Sequence, residues 1–160
     1  MALRAGEVEL PMGLSVDEIT VESDGAGVET DPFSVSFDKP AKARVLVTAA
    51  SVAKFLNETR PGGLADFAVE TSEGLLVVGA TAVVLIPIRA VAHCSLSIRE
   101  GTFLDVVLKR IDPGAAAGIV EKQLAAINPI LDTSGLPFKI EMQSVEIADG
   151  NIVVEGTASN

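Results

Sequence analysis

A chain of 160 residues with 12 Lys and Arg against 22 Asp and Glu carries a formal charge of −10, which repels phosphate backbones and anionic membrane surfaces alike, so no nucleic-acid partner is expected. Hydrophobic residues make up 48% and charged residues 21%, enough apolar mass for a core that needs neither disulfide nor structural metal, and this predicts a single domain over residues 1–160. One Cys and one His exclude an intramolecular disulfide and a zinc site of the usual type, and the lack of Trp and Tyr leaves few platforms for stacking bases or sugars.

From Glu7 to Thr48 apolar residues alternate with polar ones between turn residues, the pattern of half-buried antiparallel strands. Ile19 and Val21 alternate with Glu18, Thr20 and Glu22; Phe33, Val35 and Phe37 with Ser34, Ser36 and Asp38; Ala43, Val45 and Val47 follow Lys42 and Arg44. Gly25-Ala26-Gly27 reads as a turn, lacking the third glycine and the helix of a dinucleotide site. Thr48 is a ready N-cap for a helix that presents Val52, Phe55 and Leu56 on one face and ends at Arg60-Pro61-Gly62-Gly63.

Asp66 to Ala82 reads as two strands joined at Glu73-Gly74. Every second residue is then apolar through Val84, Ile86, Ile88, Ala90, Ala92, Cys94, Leu96 and Ile98. This predicts one strand of about 15 residues, roughly 50 Å at ~3.3 Å per residue, which must bend; Pro87 marks a bulge or edge position. After Glu100-Gly101 the alternation returns at Leu104, Val106 and Leu108, completing a long curved hairpin.

Asp112-Pro113-Gly114 predicts a helix start, with Asp112 as cap and Pro113 at the first helical position. Ala115 to Asn128 follows, with Ala116, Ile119, Val120, Leu124 and Ile127 on one stripe, and Ile130 to Asp132 is expected to add a further turn. Phe138 to Ile147 and Asn151 to Thr157 form a closing hairpin around Asp149-Gly150. The class is α+β: a strongly curved antiparallel sheet with long hairpins wrapped around a helix, two main helices and an internal repeat. The repeat rests on VETSEGLLVVGATA, starting at Val69, which aligns without gaps on VEIADGNIVVEGTA, starting at Val145, with seven of 14 positions identical. Shared turn chemistry at Glu-Gly and Asp-Gly is the competing explanation.

No catalytic constellation is found. His93 has no acid at a meaningful local spacing, Cys94 faces the apolar side as an inert small hydrophobe, and neither a Gly-x-Ser-x-Gly elbow nor a phosphate-binding Gly-Lys-Ser loop occurs. The acidic group Asp17, Glu18, Glu22, Asp24, Glu29 and Asp31 fails the calcium-loop spacing and reads as solvated strand edges. No enzyme activity, metal or cofactor is expected.

The run SGLPFKIEMQSVEIADGNIVVEGTA from Ser134, with its Gly-Leu-Pro turn and its hairpin around a glycine, resembles the ending of the LmeA-like phospholipid-binding family of bacterial proteins. The upstream order of short strands, helix, long hairpin and second helix is similar as well, from Leu14 to Ala158. The resemblance implies a fold like one unit of the tubular lipid-binding superfamily, with acyl chains held in the seam between a curved sheet and a long helix. The residues then expected to line that seam are Ile86, Ile88, Ala90, Ala92, Leu96, Ile119, Val120, Leu124 and Ile127. Thin packing is expected where the helix carries Ala115, Ala116, Ala117, Ala125 and Ala126. The expected partner is a phospholipid or another apolar small molecule, and peripheral membrane contact would run through apolar surface. The alternative is a structural or interaction module whose core is full. The opening residues MALRAGEVELPMG put Glu7 and Glu9 where an export signal needs apolar side chains, which predicts a cytoplasmic protein, or an envelope-associated one where such a signal precedes it.

Overall fold

The computed structural model describes residues 1–83, 85–136 and 138–160, without the side chains of Phe33 and Val83. Val84 of the expected long strand and Pro137 of the Gly-Leu-Pro turn lie outside the described residues. In chain order the elements are β1 (Ala2–Glu9), β2 (Ser15–Glu22), β3 (Ala26–Thr30), β4 (Phe33–Phe37), β5 (Ala41–Thr48), α1 (Ala49–Thr59), β6 (Ala65–Ser72), β7 (Leu75–Val83), β8 (Pro87–Arg99), β9 (Phe103–Asp112), α2 (Ala117–Ile127), β10 (Leu131–Asp132), β11 (Lys139–Ala148) and β12 (Asn151–Ser159).

The strands divide into two five-stranded antiparallel sheets, ordered β1-β2-β5-β12-β11 and β10-β9-β8-β7-β6, with β3 and β4 as a separate ribbon. The sheet is curled into a half-barrel, as the α+β reading expects. In β5 the alternation works as the sequence predicts: Ala41, Ala43, Val45 and Val47 are buried while Lys42 and Arg44 face solvent. Gly27 does not turn the chain but pairs with Ser36 inside the ribbon, and β1, which the sequence pattern left unassigned before Glu7, pairs along β2.

Thr48 caps α1 as expected. Its hydroxyl accepts the Ser51 N–H at 3.1 Å, and Asp17 of β2 reinforces the cap by accepting the Thr48 N–H at 2.7 Å and the Ser51 hydroxyl at 2.9 Å. Glu18 pairs instead with Arg4 at 2.6 Å, which lowers its pKa chiefly through that hydrogen bond. Asp17 and Glu18 of the acidic group thus serve separate structural tasks.

The two hairpins of the repeat are equivalent in register. Val69 faces Val78 and Ser72 faces Leu75 in the first; Val145 faces Val154 and Ala148 faces Asn151 in the second. Both break register at the same place, between Ala65 and Ala68 and between Met142 and Ser144, and both turn through positive φ, at Glu73-Gly74 and at Asp149-Gly150. In each sheet this hairpin forms one edge.

Three expectations are corrected. The alternating run does not form one continuous strand: β7 ends at Val83, Leu85 and Ile86 lie in the bend, and β8 begins at Pro87, where a missing N–H is tolerated because the first strand residue needs no donor. The bulge falls further on, where Cys94 faces Leu108 and His93 faces Arg110. The extra residue, Lys109, lets Leu108 and Ile111 both turn inward. Asp112 ends β9 and caps no helix; a single 3₁₀ turn, Gly114–Ala116, leads into α2, which has no side-chain cap. Leu131–Asp132 is not a helical turn but a short strand facing Phe103 and Leu104. Among the described residues no helix is long and apolar enough to cross a membrane.

Candidate functional site: an apolar cavity beneath two helices

A cavity of about 290 Å³ lies between the inner face of the second sheet and the two helices. Its floor is made of small side chains, because β7 and β8 set Ala80 opposite Ala90, Ala82 opposite Ile88 and Val78 opposite Ala92. Leu76 and Cys94 form the next pair along, nearly sealed from solvent. Residues of this size reach only a short way from the sheet and leave space above them. From α1 come Val52, Phe55 and Leu56, all buried, joined by Phe67 from β6. From α2 come Ile119, Val120, Leu124 and Ile127, none of them fully buried.

The space persists because α2 stands off the sheet instead of sinking into it. Its C-terminal end is fixed by Asn128, whose side chain accepts the Val106 N–H and donates to the Val106 carbonyl, both at 2.8 Å, so it pairs with β9 as a strand residue would. At the other side, Gln123 of α2 abuts the turn that ends α1: a Cβ on Gly62 would fall 2.6 Å from the Gln123 amide carbon. The walls are aliphatic and aromatic; among the described residues Gln123 is the one polar side chain there besides the Cys94 thiol. Burial pushes that thiol up to about 11, so it stays protonated and contributes neither charge nor nucleophile.

The volume is about twice that of the ~150 Å³ apolar cavity known to stay dry and to accept benzene. Apart from Gln123 the walls offer water few partners, so the space favours hydrocarbon. Among the described wall residues Cys94 is the one titratable group. His93 lies on the outer face, its ring nitrogens 3.3 and 3.4 Å from the Arg110 guanidinium, away from the cavity walls.

Of the nine seam positions named from sequence, Ile88, Ala90, Ala92, Ile119, Val120, Leu124 and Ile127 lie together on the cavity wall. Ile86 is in the bend between β7 and β8, 67% exposed, and Leu96 packs half-buried against the core further along β8. Of the five alanines, Ala115 and Ala116 reach the wall, whereas Ala125 and Ala126 face solvent on the outer side of α2. The sequence reading missed the whole contribution of α1 and β7. The stripe Val52, Phe55 and Leu56 reads as ordinary core, and the usable signal was the run of small residues Gly79-Ala80-Thr81-Ala82, too slight to fill the space beneath a helix.

No curated protein and no solved structure matches the chain. The sequence model of one family, described as LmeA-like phospholipid-binding, matches residues 2–157 of the 160, nearly the whole chain and both sheets. The match spans far more than half of the sequence and agrees with the curled antiparallel sheet, and the chain belongs to the LmeA-like phospholipid-binding family.

Proposed function

We propose that residues 1–160 act as one non-catalytic lipid-binding unit, which shelters an acyl chain of a phospholipid in the cavity beneath α1 and α2. The observation that carries this reading is the cavity itself, about 290 Å³ of apolar-walled space in a chain whose family binds phospholipid. Ile88, Ala90, Ala92, Ile119, Val120, Leu124 and Ile127 would touch the bound chain, together with Val52, Phe55 and Leu56 of α1. The function is shielding. Each methylene moved from water contributes about 0.8 kcal/mol, so a ten-carbon stretch supplies roughly 8 kcal/mol against the costs of association and ordering.

Native mass spectrometry of the purified protein tests the reading. A carrier arrives with adducts that organic extraction removes and that phospholipid or fatty acid restores. A protein that arrives bare and takes up neither a fluorescent fatty acid nor phospholipid is a packed module, and the carrier reading fails.

A further inference from the structure

The β7–β8 hairpin outruns both of its neighbours. On one side β6 pairs with β7 only as far as Thr81, and on the other β9 pairs with β8 only as far as Val91, yet β7 and β8 continue to pair through Ala82 with Ile88 and Val83 with Pro87. The end of the hairpin is therefore a two-stranded projection of two paired residues per strand, roughly 7 Å at ~3.3 Å per residue. Apolar side chains crown it: Leu85 is 96% exposed and Ile86 67%. Two consecutive large aliphatic residues held mostly in water are costly in solution and mark a contact surface.

Its position identifies the partner. Ile88, just behind the tip, and Ile119, at the start of α2, are exposed and also line the cavity, so the cavity opens between them beside the projection. Of the seven large hydrophobic residues that are exposed among the described residues, four are Leu85, Ile86, Ile88 and Ile119. Charge is arranged to match. Between Thr81 and Ala92 the one charged residue is Arg89, whose guanidinium turns back to donate to the Asp66 carbonyl at 3.3 Å, away from the bend. In a chain of net charge −10 the hairpin from Thr81 to Ala92 itself carries no acid; Asp66 and Asp112 lie on the flanking strands, where their pairing with the hairpin stops.

We propose that this projection is a membrane-docking tip: Leu85 and Ile86 enter the interface of a phospholipid bilayer and set the cavity mouth, between Ile88 and Ile119, against the lipid from which an acyl chain is drawn. The proposal rests on the lipid-carrier reading for the nature of the cargo, but it concerns a surface outside the cavity. Apolar residues at a hairpin end gain from the headgroup–acyl boundary what they lose in water, and an adjoining apolar cavity gives the chain a short route from the bilayer.

Flotation with phosphatidylcholine vesicles tests it on the full chain. The double variant Leu85→Ser with Ile86→Ser is expected to lower vesicle partitioning at least tenfold, while displacement of a fluorescent fatty acid in vesicle-free solution stays within twofold of the parent, because neither residue lines the cavity. The protein has no Trp, so Leu85→Trp adds a lone reporter at the tip; its emission should shift to the blue on addition of the same vesicles. Equal partitioning of parent and double variant, or an unshifted Trp emission, overturns the docking tip even where fatty-acid uptake is normal. Light scattering that finds a dimeric parent and a monomeric double variant also overturns it, since the tip would then be covered by a second copy. Failure of the carrier reading looks different: the parent takes up no fatty acid in solution, whatever the vesicles show.

Discussion

Asn57 on α1 pairs with both backbone groups of Phe67 on β6: its side-chain oxygen accepts the Phe67 N–H at 2.9 Å, and its amide donates to the Phe67 carbonyl at 3.0 Å. Phe67 sits in the register break between Ala65 and Ala68, where β7 does not face it residue for residue. The helix thus completes the sheet at the point where the sheet interrupts itself, and it does so beside the cavity that Phe67 helps to wall. Asn57→Ala should cost about 1–3 kcal/mol, since two part-buried hydrogen bonds are lost at roughly 0.5–1.5 kcal/mol each. Asn57→Asp keeps the acceptor and loses the donor, so chemical denaturation should place it between Ala and the parent. Equal stability of all three would show that water replaces the side chain.

Filling the cavity should separate uptake from stability. Leu124→Trp adds bulk on a wall residue of α2, and Ile119→Trp does the same at the mouth, where the parent side chain is already 62% exposed. Extra atoms that enter empty space should weaken fatty-acid displacement with a stability change under about 1 kcal/mol, whereas overpacking of a full interior costs about 1–3 kcal/mol. Thermal midpoint and displacement on the same variants check this, and a large fall in midpoint with uptake unaltered would contradict the cavity as the site.

Cys94 offers a pH test. Its thiol pKa is raised by burial to about 11 from an ordinary 9.0, so the native state keeps the proton over a range where the unfolded chain has released it. Native protein then binds more protons than unfolded protein between pH 9 and 11, and stability should fall as pH rises through that window, with no contribution from this group below it. At pH 8 the thiolate fraction is roughly a hundredfold below that of an ordinary thiol, so alkylation of native protein should be slower by at least this factor than in denaturant. Rapid labelling of the native chain would place the thiol at the surface.

The turn glycines should respond alike. Gly74 and Gly150 have φ of +74° and +77°, and nothing lies within 4 Å of the position a Cβ would take at either, so backbone strain alone sets the cost of alanine. Gly74→Ala and Gly150→Ala are each expected to lose about 1–2 kcal/mol, the penalty of an L side chain in the left-handed region. Costs differing by more than about 1 kcal/mol in urea titration would argue against equivalent hairpins.

The parts legible in the sequence are those where solvent lies on one side of an element. β5 alternates cleanly because one face is buried, and Thr48 and the Gly-containing turns announce themselves by local chemistry. The error at Leu85 and Ile86 has the same origin. Period-two alternation reports where apolar side chains would point if the chain ran straight, and it continued unbroken through a bend whose Leu85 and Ile86 face water. The helix stripe Ile119, Val120, Leu124 and Ile127 was likewise visible, but periodicity cannot tell a helix that sinks into its sheet from one that stands off it. That distinction depends on the alanines of β7 and β8, which become a floor only after pairing brings Ala80 to Ala90. Val52, Phe55 and Leu56 escaped notice as wall residues because a cavity lining and a core have the same composition.

α2 buries none of its residues completely and is held at its C-terminal end by the Asn128 side chain. Such a helix gains little burial of its own, and on the carrier reading hydrocarbon in the space below it would supply the missing surface. On the carrier reading its order and the occupancy of the cavity would be one linked equilibrium: free ligand at a hundred times its Kd would add about 2.7 kcal/mol to the cost of opening the helix, while empty protein would open there first. Amide hydrogen exchange along residues 117–127 is thereby a gauge of cargo, and the sheet amides beneath report only on global unfolding.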